Sequence, residues 1–286
     1  MISGRTKLIA LIGDPVERSL SPAMHNAAFS ELGLDYVYVA LRVVRGSLPE
    51  AIEGVRALNV KGLNVTSPHK VEVMGLLDEL DESASRVGAV NTVKNEDGKL
   101  IGFNTDGWGA IEALREKVGS LRGRKVVLLG AGGAARAIAF SLVDAGAELT
   151  LANRTASRAK ELAASIERKL GCRVDQVELE QEVLRRVLQR ADILINATSV
   201  GMYPDVNQTL VKAELMHPRL VVNDIVYEPL DTRLLREARK AGAQTLDGLG
   251  MLVRQGAASF EIWTGRKAPI DIMEATVRKE LERGRR

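Results

Sequence analysis

At 286 residues and 45% hydrophobic side chains, the chain suits one large or two small domains with packed cores, which excludes a disordered protein. Its 40 basic and 37 acidic side chains leave a formal charge of +3, spread evenly apart from the terminal Arg283-Gly284-Arg285-Arg286, so no nucleic-acid surface is expected. One cysteine, Cys172, excludes an internal disulfide, and with three histidines the chain has no ligand set for a catalytic metal.

Strand-like and helix-like patterns alternate along the whole sequence, which predicts an α/β protein with mainly parallel sheets. The first strand, near Leu8 to Ile12, is checked at once by Gly13-Asp14-Pro15 and is too short for a signal or membrane segment. A cytoplasmic, reducing setting is therefore expected. Further strands follow near Tyr36 to Val43, Gly62 to Thr66, Ala89 to Val93 and Leu100 to Asn104. Between them, Ser21-Pro22 reads as an N-cap followed by a first-turn proline, and Ser47-Leu-Pro-Glu50 as a capping box.

Polar residues gather where these strands end, the usual place for a site in an open α/β sheet. Ser19 and Ser21 offer two hydroxyls at a helix start, suited either to an anionic carboxylate or simply to capping. Asn64, Thr66, His69 and Lys70 leave a strand through polar side chains, Asn91 interrupts an apolar run, and Asp106 has the form of an N-cap for a helix from Trp108. No nucleophile elbow accompanies the histidines, so a Ser-His-Asp triad has no support.

Residues 125–154, KVVLLGAGGAARAIAFSLVDAGAELTLANR, are a strand, a glycine turn, an alanine-rich helix and a second strand. This is the pattern of a βαβ unit that holds a dinucleotide: Gly130 makes the turn, Gly132 lets the backbone approach a pyrophosphate, and Ala135 allows close helix packing. The second strand ends in Asn153-Arg154, with Arg158 one helical turn on. No carboxylate stands there to bond a ribose 2′-hydroxyl, so NADP(H) is expected rather than NAD(H). Later strands near Ile193 to Ala197, Leu220 to Ile225 and Gln244 to Leu246 extend a doubly wound sheet. Two closing helices, Met251 to Trp263 and Asp271 to Glu282, are expected to return to the first lobe. The expected organisation is a substrate-binding and catalytic domain over 1–104, a Rossmann-type NADP domain over 105–247, and C-terminal helices over 248–286.

A dinucleotide site combined with Ser, Asn, Lys and Asp suggests hydride transfer to a small, hydroxylated, anionic substrate. Separate motifs sharpen this: Ser19-Leu-Ser-Pro-Ala-Met-His-Asn26, Asn64-Val-Thr-Ser-Pro-His-Lys70, Gly88-Ala-Val-Asn-Thr92, Gly102-Phe-Asn-Thr-Asp106, Asn153-Arg-Thr155, Asn196-Ala-Thr-Ser-Val-Gly-Met202, Asp224-Ile-Val-Tyr227 and Asp247-Gly-Leu-Gly-Met-Leu-Val-Arg-Gln255. With the glycine turn, this ordered set resembles the shikimate dehydrogenase family over nearly the whole chain. Ser67 and Arg254 depart from or vary within its motifs.

The resemblance implies NADPH-dependent, reversible reduction of 3-dehydroshikimate to shikimate, a step of the chorismate route to aromatic amino acids. It implies Lys70 and Asp106 as the catalytic pair, Ser19 and Ser21 on the substrate carboxylate, and Asn64, Thr66, Asn91, Asp106 and Gln255 on its hydroxyls, with Tyr227 beside the substrate. It assigns Gly130, Gly132, Gly133 and Ala134 to the pyrophosphate, and Asn153, Arg154, Thr155 and Arg158 to the adenosine phosphate. Thr198, Met202 and Gly248 fall to the ribose and nicotinamide. A monomer or homodimer, with no membrane or nucleic-acid partner, is expected. The rival readings are a quinate/shikimate dehydrogenase with relaxed substrate or cofactor use, and a non-catalytic NADPH-binding sensor, which need not keep both Lys70 and Asp106.

Overall fold

The computed structural model describes residues 2–283, so the terminal basic run lies, from residue 284 on, outside the described residues. The chain divides into two units: residues 1–106 with 253–286, and residues 107–252.

The first unit contains β1 (Lys7–Gly13), α1 (Ser21–Glu31), β2 (Tyr36–Arg42), α2 (Leu48–Ala57), β3 (Gly62–Val65), β4 (Glu79–Leu80), α3 (Glu82–Val87), β5 (Thr92–Glu96) and β6 (Lys99–Phe103). Its sheet has the order β2-β1-β3-β5-β6-β4. The first three strands run parallel and β4 is parallel to β6, but β5 is antiparallel to both β3 and β6, so this mainly parallel sheet is mixed. The reason is local. β5 and β6 are joined by a two-residue turn with Asp97 at φ 51° and Gly98 at φ 98°, and only antiparallel strands can be joined so tightly.

Between Gly88, whose left-handed backbone ends α3, and Thr92, the chain is not strand, although a strand was expected from Ala89. There the Val90 N–H bonds the Lys70 carbonyl and the Asn91 N–H bonds the Phe103 carbonyl. Residues 89–91 therefore staple three segments instead of continuing a ladder. Ile12, Leu48, Ile52, Leu63, Val93 and Leu100 fill the core on one face. Each fully buried aliphatic side chain contributes about 1.5–3 kcal/mol.

The expected capping box does not form: Ser47 has φ −103°, ψ 10° and no side-chain cap bond. Asp81 does cap, accepting from the Ser83 N–H at 2.9 Å.

α4 (Asp106–Val118) leads into the second unit, with β7 (Lys125–Leu129), α5 (Gly133–Asp144), β8 (Glu148–Ala152), α6 (Ala156–Leu170), β9 (Asp175–Val177), α7 (Gln181–Leu188), β10 (Ile193–Asn196), β11 (Val221–Asp224), α8 (Arg233–Lys240) and β12 (Gln244–Leu246). Its six strands pair all-parallel in the order β12-β11-β10-β7-β8-β9. Read from β9, that is 3-2-1-4-5-6, the doubly wound dinucleotide-binding order, whose reversal between β7 and β10 opens the ligand crevice. Central strands such as Ile193–Asn196 are buried along their length, as covering a sheet on both faces requires.

α9 (Leu249–Thr264) carries the chain back into the first unit, and α10 (Ile270–Arg283) packs on α1.

Candidate active site

His69 sets up the site in the first unit. It is fully buried, and its Nε2–H donates to the Val43 carbonyl at 2.7 Å, a structural bond that anchors the turn carrying Lys70. The Lys70 ammonium pairs with the Asp106 carboxylate through Oδ2. Asp106, read from sequence as an N-cap, is instead the first residue of α4, and only 7% of its side chain is exposed. Its other oxygen, Oδ1, accepts from Asn91 Nδ2 at 2.9 Å. The same nitrogen lies 2.9 Å from Thr105 Oγ1 and 3.3 Å from Gln255 Oε1.

Asn91 is in turn held from its other end. Its Oδ1 accepts from the Thr105 N–H at 2.8 Å, which fixes the orientation of the amide. Asn64 Nδ2 donates to the Asn91 carbonyl at 3.0 Å. Lys70, Asp106, Asn91, Gln255 and Asn64 thus form one connected polar network. A buried network satisfied to this degree is rigid.

Ser21 begins α1 rather than capping it. The residue before it, Leu20, has no side-chain cap bond, and Ser19 Oγ accepts from the Ser21 N–H at 3.3 Å. Thr66 is half-buried just beyond β3.

Tyr38, Thr92, Thr105 and Ser259 belong to this network; Tyr38 and Ser259 escaped the sequence reading, and Thr92 and Thr105, although within its motifs, were given no role. Ser259 carried a faint signal: Gln255, Ser259 and Trp263 recur at every fourth position and share one face of α9. Tyr38 in a strand carried none.

In the second unit, β7 is followed by Gly130, where φ is +111° and an added Cβ would lie 2.9 Å from the Ala197 carbonyl oxygen. Only glycine suits such a turn. At Gly132, the N-cap of α5, the space a Cβ would enter is open, and glycine offers no side chain to cap the first turn. The free N–H end of α5 above an open cradle fits a pyrophosphate. Arg154 and Arg158 are exposed beyond β8, and Asn153 Nδ2 donates to the Thr155 carbonyl at 2.9 Å. Two unburied guanidinium groups at that corner fit a 2′-phosphate.

Asp224, fully buried at the end of β11, accepts from Asn196 Nδ2 at 2.9 Å, the Val226 N–H at 3.1 Å and Thr232 Oγ1 at 2.7 Å. Burial pushes its carboxyl up to about 6 against those three bonds. Asn196 Oδ1 then receives the Thr198 hydroxyl at 2.7 Å, so Asp224 orders the loop that leads to the exposed Met202. Tyr227 is partly buried, and burial, then the Glu228 charge, push its phenol up. Gly248 packs against the Ile225 carbonyl, where a Cβ would collide.

Fold and site define the chain as a dinucleotide-dependent dehydrogenase of the two-unit α/β kind. Residues 11–93 match the family described as shikimate dehydrogenase substrate binding domain, residues 112–228 shikimate / quinate 5-dehydrogenase, and residues 248–278 the shikimate 5′-dehydrogenase C-terminal domain. The chain belongs to the shikimate dehydrogenase family. It is 52% identical to the shikimate dehydrogenase (NADP(+)) of Methanopyrus kandleri, with 98% of each chain covered. A crystal structure of a shikimate dehydrogenase in complex with NADP+ is 48% identical with a TM-score of 0.94, covering 98% of each chain. That of shikimate 5-dehydrogenase from Listeria monocytogenes in complex with shikimate and NAD is 43% identical with a TM-score of 0.89, covering 96% of this chain and 97% of the other.

Proposed function

We infer that this chain is an NADP-dependent oxidoreductase that reversibly reduces 3-dehydroshikimate to shikimate in the route to aromatic amino acids. The observation that carries the reading is the Lys70–Asp106 pair, tied through Asn91 to Asn64 and Gln255, in a member of this family.

When bound, NADPH supplies the hydride that reduces the substrate's 3-keto carbon. Gly130, Gly132, Gly133 and Ala134 would hold its pyrophosphate, and Asn153, Arg154, Thr155 and Arg158 its adenosine phosphate. Thr198, Met202 and Gly248 would meet its ribose and nicotinamide end. Ser19 and Ser21 take the substrate carboxylate.

Reduction of a ketone needs one proton for the oxygen, and the Lys70 ammonium donates it. In oxidation the Lys70 amine takes the hydroxyl proton back. Asp106 holds that nitrogen in place with one oxygen while Asn91 fixes the other, so the donor stays aimed without a metal. Asn64, Thr66 and Gln255 bind the hydroxyls that do not react.

The enzyme acts in the cytoplasm, as a monomer or homodimer and without a nucleic-acid partner. No helix among the described residues is long and apolar enough to cross a membrane. The decisive assay follows NADPH absorbance with shikimate and, separately, quinate. Shikimate-dependent reduction of NADP+ is the expected result; turnover of neither compound would leave a nucleotide-binding sensor as the better reading.

A further inference from the structure

We propose that Tyr38 and Ser259 are positioning residues that lock the Asn64 amide so that it presents only its carbonyl oxygen to the substrate. The inference rests on the reading of Asn64 as a substrate ligand.

Asn64 lies in β3 and is 6% exposed. Its Nδ2 faces three acceptors: the Asn91 carbonyl at 3.0 Å, Ser259 Oγ at 3.1 Å and Thr92 Oγ1 at 3.2 Å. A backbone carbonyl cannot donate, so turning the amide over would set two oxygens against each other. Ser259 sends its own hydrogen to the Gln255 carbonyl at 3.0 Å, which leaves its lone pairs for Asn64 and for Thr92 at 2.7 Å. On the opposite side, Tyr38 donates its hydroxyl to Asn64 Oδ1 at 2.8 Å.

Both clamps are themselves held. Tyr38 is 1% exposed and stacks on His25 with ring centroids 4.5 Å apart and planes 14° from parallel. Asn26 brackets its backbone with two hydrogen bonds of 2.8 Å. Ser259 stands one turn before Trp263, whose Nε1–H donates to the Val93 carbonyl at 2.9 Å and pins that part of α9 against the sheet.

The consequence is chemical. Two amide hydrogens facing three protein acceptors have none left for a ligand, whereas Oδ1 keeps one lone pair beside the bond from Tyr38. Asn64 can therefore accept from a hydroxyl and cannot donate to a ketone. It serves a hydroxyl that stays a hydroxyl on both sides of the reaction, never the oxygen being reduced, and it selects substrates that carry a hydrogen there.

The test is a double-mutant cycle in steady-state kinetics with shikimate and NADP+, comparing Tyr38→Phe, Ser259→Ala and Asn64→Ala with Tyr38→Phe/Asn64→Ala and Ser259→Ala/Asn64→Ala. Each of Tyr38→Phe and Ser259→Ala should raise the shikimate KM about 5- to 20-fold, the loss of one buried hydrogen bond, with the NADP KM unchanged and kcat within about threefold. In the Asn64→Ala background the same changes should add less than about twofold. Thermal melting of every variant accompanies the kinetics, and Ser259→Ala carries the test alone if Tyr38→Phe does not fold. Undiminished effects in the Asn64→Ala background, or wild-type KM in both single variants, overturn the proposal while leaving Asn64 a ligand. An Asn64→Ala protein with wild-type shikimate KM overturns the reading of Asn64 and the proposal together.

Discussion

Asn91 links the Lys70–Asp106 pair to the sheet: its Nδ2 lies 2.9 Å from Asp106 Oδ1, while the opposite carboxylate oxygen takes the Lys70 ammonium. Because the Thr105 N–H holds the amide from behind at 2.8 Å, the carboxylate has a fixed partner on each side. Pre-set geometry of this kind lets a single proton donor act without rearrangement at the moment of reaction.

Lys70→Ala should lower kcat by about 10² to 10⁴ in a folded protein, the usual worth of a positioned acid-base group, and change shikimate affinity less. Asp106→Asn should also slow turnover. The double variant should lose less than the product of the singles, because the two side chains act as one unit. Wild-type kcat in folded Lys70→Ala would remove Lys70 from the mechanism.

Arg154→Ala should weaken NADP+ by about 1.5 to 3 kcal/mol and leave NAD+ nearly unaffected, since only the 2′-phosphate can form the charge-assisted bond that is lost. Dissociation constants for both cofactors in wild type and variant decide it. Equal weakening would return Arg154 to the solvated turn before α6.

Ser21→Ala should shift stability by less than about 0.5 kcal/mol, because Ser21 makes no cap bond in the structure and only a working N-cap is worth about 1 kcal/mol. Combined with Ser19→Ala it should raise the shikimate KM about tenfold if the two hydroxyls hold the carboxylate. Thermal melts and kinetics on the same preparation separate the two roles. An earlier melt with normal KM would make the pair structural.

Two buried groups give opposing pH dependences of stability. Desolvation lowers His25 to about 3, so between that value and its ordinary 6.5 the unfolded chain binds the extra proton; stability falls by about 1.4 kcal/mol per pH unit on acidification. Asp224, raised to about 6 chiefly by burial, works the other way: the folded state holds the proton, and its contribution, full below the ordinary 3.8, is lost as pH rises through 6. Between roughly pH 4 and 6 the two slopes nearly cancel. Denaturant melts of His25→Leu should then show stability falling as pH rises through that window, and Asp224→Asn should show it rising. Parallel pH profiles for wild type and both variants would contradict the assignment.

The sequence by itself determined the elements whose patterns are local. The β7 run and the glycine turn are legible because a buried parallel strand must be continuously apolar and a left-handed turn at Gly130 admits little else. Most of the doubly wound second unit follows from alternating strand and helix periods, but the edge strand β9 was not anticipated, and residues 197–220 join β10 to β11 with no α-helix. Ser47 and Asp106 show where local reading stops: each has the residue type of a cap, yet the first makes no cap bond and the second turns its carboxylate to Lys70 and Asn91. A cap and a site ligand look alike in sequence because the same short polar side chain serves both.

The β5–β6 hairpin is set locally by Asp97-Gly98, whereas the meeting of Tyr38 and Ser259 on Asn64 was decided only by tertiary structure. Asn64 and Ser259 stand 195 residues apart, and neither strand nor helix periodicity says which faces of two distant elements will touch. That choice is made when α9 packs on β3, with Trp263 over Gly62, and the few polar groups there must find partners within the core.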